Sequence, residues 1–161
     1  MRETQERGYT EPDPREDLSG TDVARKLLIL ARENGLQMDL RDVHVTSLVP
    51  ASLRKGKFTE TFYSRLTKLD TAMQRRYETA KANKKVLRYV GTLDGTVATA
   101  GLREFTLDHP FAGTQGSESV IVFTTKRYST HPLVVKGLGA GAEVTAMGVF
   151  SDILKLLHSL S

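Results

Sequence analysis

Asp22 and Lys26 stand four residues apart, a spacing that puts both side chains on one helix face, and such a pair can do acid–base work. A free lysine has a pKa of about 10.4, so at neutral pH it is a poor base and a ready proton donor. A neighbouring carboxylate raises that value further, and burial lowers it. The balance favours a charged Lys26 that protonates a carbonyl oxygen under reduction while Asp22 hydrogen-bonds the same substrate. The plainer reading is a surface ion pair worth about 0.3–0.5 kcal/mol. Upstream lie Glu11, Asp13, Glu16 and Asp17, so five carboxylates and one lysine fall within residues 8–26, a set suited to a small charged ligand. Pro12 and Pro14 fix their own φ and push Glu11 and Asp13 into extended backbone, on the same side of a stiff strand. A rigid acidic loop that serves only solubility would look the same.

These residues need a helix to hold them. Ser19 with Asp22 three residues on forms an S-x-x-D box, which predicts a helix start, and Asn34-Gly35 predicts its end. Between them Val23, Leu27, Leu30 and Ala31 follow helical spacing and are expected to face a core. Asp42–Val49 reads as a strand stopped by Pro50, with Val43 and Val45 alternating. A long helix is expected from Thr59 to Ala82, with Phe62, Leu66, Leu69, Met73, Tyr77 and Ala80 as its apolar stripe. Two strands, Val86–Thr92 and Thr96–Phe105, follow around a turn at Asp94-Gly95. Ser119–Thr125 reads as a buried strand and Leu133–Lys136 as a short one. A last helix over Val144–Ser159 carries Met147, Phe150, Ile153, Leu154, Leu157 and Leu160 on its apolar side. The expectation is one α+β domain over residues 1–161, a mixed or mainly antiparallel sheet covered by helices.

At 161 residues, 39% hydrophobic and 26% charged, the chain suits a globular domain with a real core. No apolar run approaches the roughly 18 residues that span a bilayer, and the N-terminus lacks the apolar stretch of a secretory signal. Absence of cysteine excludes disulfides and thiolate metal sites. Charge is uneven: residues 1–22 hold three bases against seven acids, and residues 53–88 hold eleven bases against three acids. The basic half reads either as a polyanion-binding face or, more plainly, as a solvated helix surface; no nucleic-acid motif accompanies it. Gly137-Leu-Gly-Ala-Gly141 follows a strand and opens a helix, where glycine amides suit an anion, but a structural tight turn has the same spacing. A dinucleotide fingerprint needs a second strand and an acidic residue about twenty positions later, which this loop lacks. His44, His109, His131 and His158 show no metal-ligand spacing and no nucleophile partner.

Gly8-Tyr-Thr-Glu-Pro-Asp-Pro-Arg-Glu-Asp-Leu-Ser-Gly-Thr-Asp-Val-Ala-Arg-Lys26 closely resembles the substrate-binding and catalytic signature of homoserine dehydrogenases. So do His109-Pro-Phe111, Gly116-Ser-Glu118, Pro132-Leu-Val-Val-Lys-Gly137 and the run from Gly139 to Leu154. The likeness is strongest to the bifunctional aspartokinase–homoserine dehydrogenases. It implies an oxidoreductase that interconverts L-aspartate 4-semialdehyde and L-homoserine with NAD or NADP, on the route to threonine, methionine and isoleucine. It implies Lys26 as the catalytic lysine, Tyr9, Glu11, Asp17 and Asp22 at the substrate, Gly8 and Gly141 at the cofactor, and no assigned metal. It further implies a cytoplasmic or plastid-stroma enzyme and a homodimer built on the middle sheet and the basic helix. The family's Rossmann domain, with its G-x-G-x-x-G turn and a second active-site lysine, is expected to be missing from this chain, so that most of the cofactor binds elsewhere. The alternative is a non-catalytic fragment that acts as a dimerisation or amino-acid-binding module.

Overall fold

The computed structural model describes residues 11–56, 61–116, 118–139 and 141–160. Its contacts group into two compact units, Met1–Phe105 and Thr106–Ser161. In the first, Asp13 is extended (φ −106°, ψ 104°) and caps helix α1, Pro14–Ser19, by accepting the Arg15 backbone N–H at 3.0 Å. The helical region therefore begins before Ser19, the expected start. A carboxylate cap followed by a proline with preset φ is the stronger signal. Asp13 does not accompany Glu11, because Arg15 holds it. The Arg15 Nε lies 2.9 Å and its Nη2 2.6 Å from the two carboxylate oxygens, while Nη1 donates to the Gly56 carbonyl at 3.0 Å. This guanidinium keeps the Asp13 carboxyl below the usual range.

Ser19 ends α1, and its hydroxyl accepts the Thr21 N–H at 3.0 Å. Gly20, at φ 82° and ψ 3°, turns the chain into helix α2, Thr21–Glu33, which stops at Asn34 and the left-handed Gly35 as expected. Ala24, Leu27, Leu28 and Ala31 of α2 pack with Met38, Val43 and Ala98. Val23 and Leu30, expected with them, are half-buried. Gly91 lets α2 close on the sheet, since a Cβ there would sit 3.1 Å from Val23 Cγ1.

The three-stranded sheet has the order β1-β3-β2: β1 Val43–Val45, β2 Lys85–Asp94 and β3 Val97–Thr106. Strand β1 runs parallel to β3, with Val43 opposite Ala98 and Val45 opposite Ala100. The turn at Gly95 (φ 56°) joins β2 to β3 as a hairpin, close to the predicted position. The expected strand Asp42–Val49 keeps only three residues. Leu40–Asp42 form a 3₁₀ turn closed by the Asp39 N–H on the Asp42 carboxylate at 2.8 Å. Beyond it, the Leu48 N–H leaves the sheet for the Leu18 carbonyl at 2.9 Å.

The expected long helix is broken. Helix α3, Thr61–Leu66, passes through a 3₁₀ turn at Thr67–Leu69 into helix α4, Asp70–Ala82; Thr59 and Glu60 lie outside the described residues. The Thr67 hydroxyl donates to the Ser64 carbonyl at 2.8 Å and the Ser64 hydroxyl to the Thr61 carbonyl at 2.9 Å, back-bonding that bends helices. Each 3₁₀ residue advances about 120° instead of 100°, so the apolar stripe loses phase. Phe62 and Ala80 are buried, whereas Met73 and Tyr77 are exposed by 42% and 49%. Phe62 and Tyr63 pack with Val49 in a second cluster that Leu18 of α1 joins.

The second unit holds an antiparallel pair, β4 Glu118–Phe123 and β5 Leu133–Leu138, and helix α5, Ala142–Leu160. Lys136 Nζ lies 2.9 Å from Glu118 Oε2 across the pair. The expected burial of β4 is not found, because Ile121 and Phe123 are more than a third exposed, as is the apolar side of α5. A two-stranded ribbon and one helix offer too little surface to cover both faces. The fold is mixed α+β, as the sequence predicts. No helix among the described residues is long and apolar enough to cross a membrane.

Candidate functional site

The left-handed turn at Gly20 sets α1 and α2 beside a cleft of about 680 Å³. Four carboxylates line it: Glu11 before α1, Glu16 and Asp17 within α1, and Asp22 in the first turn of α2. The Glu11 backbone N–H donates to Asp17 Oδ2 at 3.1 Å, which ties the extended segment to the helix. Leu18, Val23 and Leu48 supply apolar wall, and Tyr89 reaches in from β2. Its hydroxyl donates to the Thr46 carbonyl at 3.0 Å, and burial pushes the phenol pKa up, so the group stays protonated. A Cβ on Gly20 would overlap the Tyr89 hydroxyl, so only glycine fits at this corner. The volume lies within the 300–1,000 Å³ range of small-molecule sites.

Lys26 stands at the rim. Its Nζ is 2.8 Å from Asp22 Oδ2, and both side chains are about 70% exposed. It does not line the cleft itself. Thus Glu11, Asp17 and Asp22 come together as the sequence predicts, with Lys26 attached to them through Asp22, whereas Asp13 belongs to the Arg15 pair. Tyr9 and Gly8 lie outside the described residues. Sequence reasoning gave no role to Glu16, Arg25 or Tyr89. The helical spacing Asp22–Arg25 was available as a signal for Arg25; Tyr89 arrives from a strand distant in sequence and had none. Among the described residues, no group of three or more His, Cys, Asp or Glu side chains is placed to hold a metal ion.

Gly141, in the second unit, opens α5 with φ 126° and no heavy atom within 4 Å of where a Cβ would sit. Its carbonyl accepts from the Thr145 N–H at 3.0 Å. Gly137 and Leu138 are part of β5, so the glycine run begins inside a strand.

A family profile described as homoserine dehydrogenase matches residues 1–154. The chain belongs to the homoserine dehydrogenase family. This homoserine dehydrogenase-family chain is 53% identical over 160 residues to the maize (Zea mays) chloroplastic bifunctional aspartokinase/homoserine dehydrogenase 2, covering 98% of the chain and 17% of that protein. It is 47% identical to the homoserine dehydrogenase of Paracoccidioides brasiliensis, covering 95% of the chain and 42% of the relative. A crystal structure of a Candida auris protein of unknown function superposes with a TM-score of 0.90 at 41% identity, over 98% of the chain and 44% of the other. The chain thus spans less than half the length of each of these relatives.

Proposed function

We propose that this chain is the substrate-binding and catalytic portion of a homoserine dehydrogenase, interconverting L-aspartate 4-semialdehyde and L-homoserine with a nicotinamide cofactor on the route to threonine, methionine and isoleucine. The observation that carries the reading is the convergence of Glu11, Asp17 and Asp22 on one cleft with Lys26 bound to its rim, in a chain of that family. An amino-acid substrate brings an ammonium, and charge-assisted hydrogen bonds from it to carboxylates are about twice as strong as neutral ones. Asp22 holds the Lys26 ammonium in its charged state at the edge of that site, ready to give a proton to the aldehyde oxygen as it becomes the homoserine hydroxyl. Tyr9 is assigned beside the substrate.

The cofactor supplies or accepts the hydride when bound. Gly141, with positive φ and open space at a helix N-terminus, fits the approach of a nicotinamide or phosphate, and Gly8 is assigned with it. The rest of a dinucleotide site has no counterpart among the described residues, which supports a separate nucleotide-binding domain as the chain's partner. The exposed Met73 and Tyr77 on the basic helix α4 support a homodimer contact there and on the sheet. The test is steady-state reduction of aspartate semialdehyde by the complete dehydrogenase bearing Lys26→Ala. A fall in kcat of about 100-fold or more is expected for loss of the proton donor. A near-normal kcat would remove Lys26 from that role.

A further inference from the structure

We infer that Arg25 is the group that recognises the substrate's α-carboxylate and so restricts the cleft to amino acids; this rests on the function proposed above. Arg25 is the one basic side chain that lines the cleft, against four acids, Glu11, Glu16, Asp17 and Asp22. It follows Asp22 by three residues on α2 and therefore shares its face. Asp22, the acid best placed to neutralise it, is already engaged at 2.8 Å by Lys26. Arg25 itself makes no ion pair or side-chain hydrogen bond with any described residue. An arginine left unpaired beside four carboxylates keeps its planar fork free for an incoming anion.

The charge pattern selects the ligand class. A dianion such as a phosphate monoester would meet one cation and four anions, which is unfavourable. A zwitterion carries an ammonium for the acids and a carboxylate for the guanidinium, which binds carboxylates through two parallel N–H···O bonds. L-Homoserine and aspartate semialdehyde are both of this kind. Lysine in place of arginine would keep the charge but lose the fork. Sequence alone hides the assignment, because Arg25 sits next to the more conspicuous Lys26 and both read as helix-surface bases.

The experiment is calorimetric titration of the chain with L-homoserine and with 3-aminopropan-1-ol, which has the same ammonium and hydroxyl but no carboxylate. The unaltered chain is expected to prefer homoserine by at least about tenfold, as for one charged hydrogen-bonding partner. Arg25→Gln should bring homoserine down to the level of the amino alcohol and leave the amino alcohol unchanged, with Arg25→Lys between the two. If Arg25→Gln preserves the preference, or weakens both ligands equally with the circular dichroism altered, the assignment to Arg25 is overturned and the dehydrogenase reading stands. Binding of the amino alcohol with no preference for homoserine in the unaltered chain has the same meaning. Failure of the unaltered chain to bind either ligand overturns the substrate-site reading itself, and this inference with it.

Discussion

Gly20→Ala is expected to cost the first unit about 2–5 kcal/mol. Three contributions add. An alanine held at φ 82° pays about 1 kcal/mol or more for left-handed backbone. Its Cβ would overlap the Tyr89 hydroxyl and stand only 2.7 Å from Tyr89 Cζ, so the ring must move, and overpacking of this kind costs about 1–3 kcal/mol. A displaced ring also gives up the 3.0 Å hydrogen bond to the Thr46 carbonyl, worth about 0.5–1.5 kcal/mol. The measurement is urea denaturation followed by circular dichroism, for Gly20→Ala, Tyr89→Ala and the double variant. With the ring removed, alanine at position 20 should retain only the backbone cost, so the two losses should be non-additive by at least about 1 kcal/mol. Strict additivity, or a single-variant loss below about 1 kcal/mol, would refute the account of this corner and of how the two acid-bearing helices are joined.

Leu27→Ala empties a buried position between α2 and the sheet, and a loss of about 2–5 kcal/mol is expected in the same denaturation assay. Lys26→Ala, by contrast, breaks only an exposed pair and should change stability by less than about 0.5 kcal/mol, which separates its catalytic effect from any folding effect. Asp13 titrates below its ordinary value because of Arg15, so its contribution is present above the unfolded-state pKa and fades as pH falls through the lower folded-state value. Stability measured from pH 6 to pH 2 should accordingly fall less steeply in Asp13→Asn than in the unaltered chain; equal slopes would show that the Arg15 pair does not favour the ionised form.

The parts of the fold that read directly from sequence are those governed by neighbours in the chain. The Asn34-Gly35 stop, the Gly95 turn and the helical spacing of Leu27 and Ala31 all follow from local backbone preference. The misread start at Ser19 came from weighing a serine box above Asp13-Pro14, two local signals in competition. The break at Thr67–Leu69 depends on hydroxyls bonding back to carbonyls, which periodicity does not register. In the site, the acids were legible as a cluster because they are close in sequence. That Asp13 would turn to Arg15, leaving Glu11 with Asp17, depended on Arg15 also reaching Gly56, a contact made across 41 positions. Tyr89 and its hold on Gly20 were invisible for the same reason.

Strand β1 finds its parallel partner more than fifty residues downstream, and the pairing of Val43 with Ala98 closes a large covalent loop around α3, α4 and β2. Closure entropy grows only with the logarithm of such a loop, about 0.6 kcal/mol for each doubling. The stretch between the two strands is thus free to lengthen or shorten over generations at small thermodynamic expense. Four of the acids and Arg25 lie upstream of that loop, so descendants can remodel it and still inherit their ligand chemistry intact.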